Sequence, residues 1–434
     1  MRKITLYLTL FFIHIGVLSA QQLTNIEKKL ANQVVDEMPY ALAQLKQAVN
    51  TNSGTMNFAG VKAVGMQFKE EFDLLGFTTK WHDGSEFNRA GHLSASYITN
   101  DANTKLLLIG HLDTVFTKND DFQTYQEVKP GFVAGPGITD MKGGDVIILT
   151  ALKAMKAQGL LDNLNIKVVM TGDEEKSGRP LSLSKKLLID SGKWADIALG
   201  FEDGDSNIKT AVIARRGASS WWLGVKAKSA HSSQVFREDI GFGAIYEMAR
   251  ILNEFRIQLS QEQSLTFNPG NLMGGTKVNF DHKKSQGQVF GKDNVIAKEA
   301  MANGDIRALS PEQEKNTRKV MKQIITENLA HTNPEIEFYD GYPPMPPTEA
   351  NRKLLTMYSK VSESLGYGEV IAVDPRKAGA ADISFVAEYV DMALDGLGLM
   401  GNGGHTKDEV ADMSSLKKNT QKAALLMYRL GQNQ

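Results

Sequence analysis

The 434-residue chain contains no cysteine. No disulfide can brace the fold and no thiol can be misoxidised, which suits a protein that leaves the cytoplasm. The same absence narrows the metal chemistry, because any metal site must be built from His, Asp and Glu. An excess of either charge is also missing, with 49 Lys and Arg against 50 Asp and Glu and a formal net charge of −1. A nucleic-acid binder normally carries a basic excess, so nucleic acid is not expected as a partner. There is no polybasic tail and no sustained cationic amphipathic helix to hold the chain on a membrane surface. Internal repeats and low-complexity tracts are absent too.

What is present is otherwise ordinary for a soluble globular protein, at 42% hydrophobic and 23% charged residues. The chain is too long for one compact core, and two domains are expected. The N-terminus stands apart. Arg2 and Lys3 precede an apolar stretch over residues 4–18, and Leu18-Ser19-Ala20 is followed by Gln21-Gln22. A charged start, a short apolar middle and a small-residue exit read as a secretory signal peptide over residues 1–20, cut after Ala20. The run is short for a transmembrane helix. The mature protein is therefore expected to be exported, periplasmic or secreted, and free of the membrane.

Beyond residue 20 the apolar pattern organises the chain. Apolar residues recur at helical spacing over residues 26–49 and again over 59–75. A continuous apolar run at 106–109, a second run at 166–170 that includes Lys167, and a third at 197–201 alternate with helices over about 145–158 and 181–191. That alternation predicts an α/β fold, a mostly parallel sheet with helices on both faces. Near Gly217 the pattern changes. Strand-like segments at 219–227, 275–280 and 294–305, with helices over about 241–259 and 311–330, read as an inserted α+β unit. Residues 341–347 are too rich in proline for regular structure and mark the crossing back. The resulting division is 21–216 with 335–434 for one domain and 217–334 for the insertion.

The potential metal ligands fall at telling places. His111 and Asp113 follow the first run, Glu174 and Glu175 follow the second, and Glu202 and Asp203 follow the third. In a parallel sheet these are the carboxyl ends of strands, where such folds assemble their sites. Singly, each has a bland reading. A His-x-Asp pair is often structural, and Asp173-Glu174-Glu175-Lys176 would usually be a solvated loop. Asp140 lies in a turn-rich loop, and its neighbours Lys142-Gly143-Gly144 lack the spacing of a phosphate cradle. His405, between Gly404 and Thr406, is by itself a loop histidine. Their order and spacing together carry the information.

The stretches Gly110-His111-Leu112-Asp113-Thr114-Val115, Gly135-Pro136-Gly137-Ile138-Thr139-Asp140-Met141-Lys142-Gly143-Gly144, Thr171-Gly172-Asp173-Glu174-Glu175, Phe201-Glu202, Ser229-Ala230-His231-Ser232 and Gly404-His405-Thr406 resemble the co-catalytic zinc metallopeptidase family. That family contains glutamate carboxypeptidase, aminoacylase, acetylornithine deacetylase and succinyl-diaminopimelate desuccinylase, and glutamate carboxypeptidase is the nearest member. The resemblance covers about residues 25–430. It implies a zinc-exopeptidase-like domain with an inserted lid and dimerisation domain, and two zinc ions per chain, cobalt or manganese being the alternatives.

In the roles the resemblance implies, Asp140 bridges the two metals, His111 and Glu202 complete one site, and Glu175 and His405 complete the other. Asp203 beside Glu202 is an equal candidate for the terminal ligand. Asp113 would orient the His111 ring, and Glu174 would act as general base and then acid. His231 would reach into the partner subunit of a homodimer and stabilise an oxyanion, while Arg307 and Asn294 would hold the substrate's carboxylate. Three departures lie near the substrate: Ala297 where proline is usual, Gly379-Ala380-Ala381-Asp382 for Gly-Gly-Thr-Asp, and Ser232-Ser233 after His231. The implied reaction cleaves a peptide or amide bond next to a free carboxylate, with a small peptide or N-acyl amino acid as substrate. The alternatives are an N-acyl-amino-acid deacylase and a non-catalytic metal-binding relative.

Overall fold

Residues 26–49 carry one apolar stripe but form two helices, because Pro39 has no backbone N–H and belongs at a helix start. In the computed structural model, which describes residues 22–99, 102–282 and 284–432, α1 spans Asn25–Asp36 and α2 spans Met38–Val49, with Pro39 in the first turn of α2. The signal-peptide reading of residues 1–20 lies outside the described residues. Helix α3 (Phe58–Leu74) leads into β1 (Thr78–Asp83), β2 (Gly91–Tyr97) and β3 (Lys105–His111). Then come α4 (Gly143–Ala157), β4 (Asn165–Thr171), α5 (Leu181–Ser184), α6 (Lys186–Trp194) and β5 (Ile197–Gly200). The helix expected over 181–191 is thus two, α5 and α6. The insertion follows as β6 (Ala218–Ala227), α7 (Ala244–Leu259), β7 (Thr266–Gly275), β8 (Lys277–Asp281), β9 (Gln286–Phe290), β10 (Glu299–Arg307), α8 (Pro311–Thr326) and β11 (Thr332–Tyr342). Helix α9 (Glu349–Ser364), β12 (Met392–Leu394) and α10 (Ser414–Gln432) complete the chain.

One six-stranded sheet has the order β1-β2-β4-β3-β5-β12. Strands β4, β3, β5 and β12 are parallel, while β2 pairs antiparallel with both β4 and β1. Alternation along β3 sends Leu106 and Leu108 into a core shared with α1 to α4, α9 and α10. Leu107 and Ile109 point the other way, into a core with Leu188 of α6, Met345 and Phe385. Both faces are covered, as a buried parallel sheet requires. Among the described residues no helix is long and apolar enough to cross a membrane.

In the insertion, β7-β10-β6-β11 form an antiparallel sheet. One face buries Trp221, Leu223 and Val225 against Met248, Ile251 and Phe255 of α7 and Met321 and Ile324 of α8. The strand β11 pairs with β6 as far as Tyr342, so the boundary drawn at residue 334 falls inside it. As an edge strand covered on one face, β11 alternates between exposed and partly buried residues and shows no apolar run. Where the chain passes between the units, Arg215 and Met345 exchange backbone hydrogen bonds at 2.9 Å on one side, and the Gly217 N–H donates to Ala308 at 2.8 Å on the other.

Helix α10 carries a buried cation with a pH signature. The Lys422 ammonium donates to the Ile208 carbonyl at 2.7 Å and lies 4.8 Å from the Tyr358 ring. Burial, with a smaller contribution from Lys418, drags its pKa down to about 7. The unfolded chain binds this proton up to about pH 10.4, so the group makes stability rise with pH between the two values. A Lys422→Met variant should be more stable than the wild type at pH 6–7, by on the order of a few kcal/mol, with the gap closing toward pH 10. Urea denaturation across this pH range checks it, and a gap that does not change with pH would refute it.

Candidate metal centre

His111 is the last residue of β3, and β3 lies between β4 and β5. The loop after β4 therefore delivers Glu174 and Glu175 to one side of His111, and the loop after β5 delivers Glu202 to the other. Asp140 arrives on the loop that leads into α4. A Cβ on Gly144 would sit 1.9 Å from the Phe201 carbonyl oxygen, so only glycine lets the start of α4 drop against the end of β5. The Asp140 and His405 loops are fastened together by antiparallel pairing of Phe132–Ala134 with Val410–Asp412. His405 itself holds φ +63°, a left-handed conformation that costs a non-glycine residue about 1–3 kcal/mol and survives only when its surroundings enforce it.

These loops bring five side chains into two sets that share Asp140. His111 Nε2 lies 3.0 Å from Asp140 Oδ1 and 3.6 Å from Glu202 Oε1. His405 Nε2 lies 2.9 Å from Asp140 Oδ2 and 3.1 Å from Glu175 Oε2. Within each set the candidate ligand atoms are all within 4.8 Å of one another. Glu202, not Asp203, belongs to the His111 set. Asp203 instead approaches Gly404, where a Cβ would be 3.7 Å from its Oδ2, and burial followed by repulsion from Asp140 pushes its carboxyl up to about 8.

The residues fit a pair of divalent cations. Three carboxylates and two imidazoles converge, and Glu175 Oε1 is buried with no hydrogen-bond partner, which is costly unless something else binds it. Without a cation the histidines must serve as counter-charges: the Asp140 and Glu175 carboxylates push the His405 imidazolium up to about 11. The all-nitrogen-and-oxygen donor set suits zinc, cobalt or manganese.

The supporting residues differ from expectation at Asp113. The His111 Nδ1 partner is the Asp113 backbone carbonyl at 3.0 Å, and the Asp113 carboxylate stands 3.6 Å away. That carboxylate instead accepts from Thr55 Oγ1 at 2.6 Å and from the backbone N–H groups of Glu174 at 3.0 Å and Glu175 at 3.3 Å. Its side chain thus fixes the Glu174–Glu175 turn. From the opposite side the Tyr342 hydroxyl donates to the Glu174 carbonyl at 2.6 Å. Behind the turn, buried Lys185 lies 2.8 Å from Asp173 and 3.0 Å from Asp382, and Thr171 donates to Asp382. Glu409 secures the Asp140 loop, accepting from the N–H groups of Gly137 at 2.9 Å, Thr139 at 2.8 Å and Asp140 at 3.2 Å. Sequence reading passed over Lys185, Tyr342 and Glu409, which look like ordinary polar residues until the fold supplies their partners. Lys142 is buried and donates to the Thr51 carbonyl at 3.0 Å, as no phosphate-binding lysine would.

The three residues of the insertion do not come together. His231 bridges to Val295, and the Ser232 N–H donates to the Asn294 carbonyl at 2.8 Å, so His231 and Asn294 share one end of the unit. Arg307 closes the opposite end of β10, paired with Thr266 and next to the Gly217 crossing. The nine residues of β10 span roughly 26 Å at the rise of a strand. Within one chain, Arg307 and Asn294 therefore cannot grip the same carboxylate.

The comparisons with known proteins agree with this geometry. The family described as Peptidase family M20/M25/M40 matches residues 107–429. Carboxypeptidase G2 of Pseudomonas sp. (strain RS-16) is 26% identical over 422 residues, covering 96% of this chain and 94% of its own length. Aminopeptidase PepT from Bacillus cereus ATCC 10987 is similar in structure, with a TM-score of 0.70 at 17% identity, covering 92% of this chain and 98% of that one. The M20 family metallo-carboxypeptidase Sso-CP2 from Sulfolobus solfataricus gives a TM-score of 0.65 at 16% identity, over 90% and 99% of the two chains. At such identities the structural likenesses speak to the fold alone.

Proposed function

Because the chain belongs to Peptidase family M20/M25/M40 and is a metal-dependent hydrolase, we propose that it releases a C-terminal amino acid from small peptides or N-acyl compounds, using two zinc ions per chain. The observation that carries this reading is the shared Asp140, whose two oxygens each face a separate histidine-containing set, with Glu174 in neither. His111, Asp140 and Glu202 would hold one metal, and Asp140, Glu175 and His405 the other. Such a pair supplies Lewis-acid polarisation of the scissile carbonyl and acidifies water.

The chain's own groups do the rest. Glu174 takes the proton of the attacking water and returns it to the departing amine, as base and then acid. Burial is the largest influence on its carboxyl and raises it, with Asp382, Glu175 and Asp140 adding to the rise against the opposing pull of His111. A carboxyl raised in this way is a better proton carrier near neutral pH. Asp113 and Tyr342 hold its backbone from two sides. Arg307, near the crossing between the units, offers a guanidinium for the substrate's carboxylate. His231 and Asn294, at the far end of the insertion, fit the site of a second copy of the chain. A homodimer is therefore part of the proposal, with His231 stabilising the oxyanion across the interface. Carboxypeptidase activity is also what the name of the Pseudomonas relative states. Export to a periplasm or the medium follows from the N-terminal pattern and the lack of cysteine.

The test is metal content, measured together with amino-acid release, on the zinc-loaded protein against N-acyl glutamates, N-acetyl amino acids and dipeptides. Two metals per chain with release of a free amino acid support the reading. Simple N-acetyl amino acids cleaved in strong preference to peptides would move it to the deacylase alternative. Bound metal without release from any member would overturn it.

A further inference from the structure

We infer that Asn402 is a modification site: its side-chain amide is lost spontaneously to the backbone of Gly403, and the product disarms the His405 half of the metal centre. The modification stands on local geometry, and only its consequence rests on the metal reading above. Asparagine is a thermolabile residue, most of all before glycine, whose backbone nitrogen no Cβ shields. The chain has two such pairs, Asn303-Gly304 and Asn402-Gly403, and the fold treats them oppositely.

Asn303 and Gly304 lie in β10, with β7 on one side and β6 on the other. Asn303 Oδ1 accepts from Asn271 Nδ2 at 3.0 Å, so its side chain is tied to the neighbouring strand. Asn402, by contrast, ends the short edge strand Gly401–Asn402, whose one neighbour is Val410–Asp412. It is exposed, and among the described residues its side-chain amide has no hydrogen-bond partner. The Gly403 N–H likewise donates to none of them. Carbonyl carbon and attacking nitrogen are therefore both uncommitted. The glycine is demanded by the fold, since Gly403 holds φ +78° and a Cβ there would sit 2.4 Å from the Asp408 carbonyl oxygen.

In the reaction the Gly403 nitrogen attacks Asn402 Cγ and closes a succinimide ring. The Cγ–Nδ2 bond breaks, and ammonia leaves carrying the Gly403 proton. Water then opens the ring at either carbonyl, giving aspartate or isoaspartate. In isoaspartate the backbone runs through the former side chain and is longer by one methylene, about 1.5 Å of bond. The Gly403 carbonyl accepts from the Thr406 N–H at 3.0 Å and from the Thr406 hydroxyl at 2.7 Å, and this turn presents His405. Metal–ligand distances hold to within about 0.2 Å, so the longer backbone takes His405 Nε2 away from its place between Asp140 and Glu175. His111, Asp140 and Glu202 stand on other loops and keep their set.

The experiment stores the zinc-loaded protein in mildly alkaline buffer and samples it over time. Peptide mass mapping with isoaspartyl methyltransferase labelling should show –NH2 replaced by –OH at Asn402, mostly as isoaspartate, with Asn303 unchanged. Bound zinc should fall by the ion of the His405 set with the same time constant. The converted fraction, separated by ion exchange, should bind that ion at least about 10-fold more weakly than the unconverted one. An Asn402→Ser variant, which cannot form the ring, should keep its metal over the same period. Urea-unfolded protein, in which both asparagines convert, sets the timescale. No conversion at Asn402 on that timescale, or conversion of Asn303 as fast as Asn402, would overturn the site. Full conversion with both ions retained would overturn the link to His405. Mass mapping reads the modification without metal or turnover, so its failure is distinct from failure of the metal reading.

Discussion

Replacing Glu174 by Gln should lower kcat by about 10²- to 10⁴-fold, the span that one general base contributes, while metal content and KM stay close to wild type. The expectation follows from what Glu174 does and does not touch. It belongs to neither ligand set, so removing its charge takes no bond from a metal. Its backbone N–H is held by Asp113 and its carbonyl by Tyr342, so an isosteric amide stays where the carboxylate was. What disappears is the ability to accept a proton. The adjacent Glu175 makes the control. Glu175→Gln should lose activity together with the metal of the His405 set, since its Oε2 faces His405 and its Oε1 has no protein partner. Parallel kcat and metal measurements decide between these outcomes. Metal loss in Glu174→Gln would make Glu174 a ligand, and a fall in kcat of less than about fivefold would place the base elsewhere, since even a modest general base is worth about 100-fold.

The strands that end in ligands were legible because a parallel strand buried on both faces must be a continuous apolar run. Residues 106–109 and 197–201 are such runs and 166–170 is one broken only by Lys167, and within a few positions come His111 and Asp113, Glu202, and Glu174 and Glu175. Among the strands that went unread are several with one covered face or an edge. Thr78–Asp83 and Thr332–Tyr342 alternate toward solvent, and Thr266–Gly275 carries Pro269 in an edge strand, where its missing N–H costs no ladder bond. Three members of the two sets, His111, Glu175 and Glu202, were readable because they stand just past apolar runs, whereas Asp140 and His405 lie in loops and were pointed to by the resemblance. The residues that hold them in place were not readable, because their partners lie far away along the chain. Glu409 grips Thr139 across 270 positions, and Tyr342 reaches Glu174 across 168. Asp113 shows the finer limit. Its closeness to His111 was evident, but the carbonyl that meets the ring and the carboxylate that meets the Glu174–Glu175 turn are distinguished only by the backbone path.

The bridging arrangement has its own test in the stoichiometry of Asp140→Ala against His405→Ala. With both oxygens of Asp140 committed, one to each set, their removal should leave two residues at each site and drop bound metal well below one ion per chain. His405→Ala strips only one set, so His111, Asp140 and Glu202 should still retain about one. Each loss should exceed the 10- to 100-fold in affinity that a residue merely supporting a ligand is worth. The comparison is clean because the Asp140 loop does not depend on the Asp140 side chain for its shape. Glu409 accepts the N–H groups of Gly137, Thr139 and Asp140 and the Thr139 hydroxyl, and Gly144 seats the following helix against Phe201. Circular dichroism should therefore show both variants folded, leaving the metal count to report on ligands alone. Two ions retained by Asp140→Ala would mean that the sets do not share this residue. Loss of both ions in His405→Ala would mean that neither metal binds without the other, and the centre would then have to be treated as one cooperative site rather than two sites joined by a carboxylate.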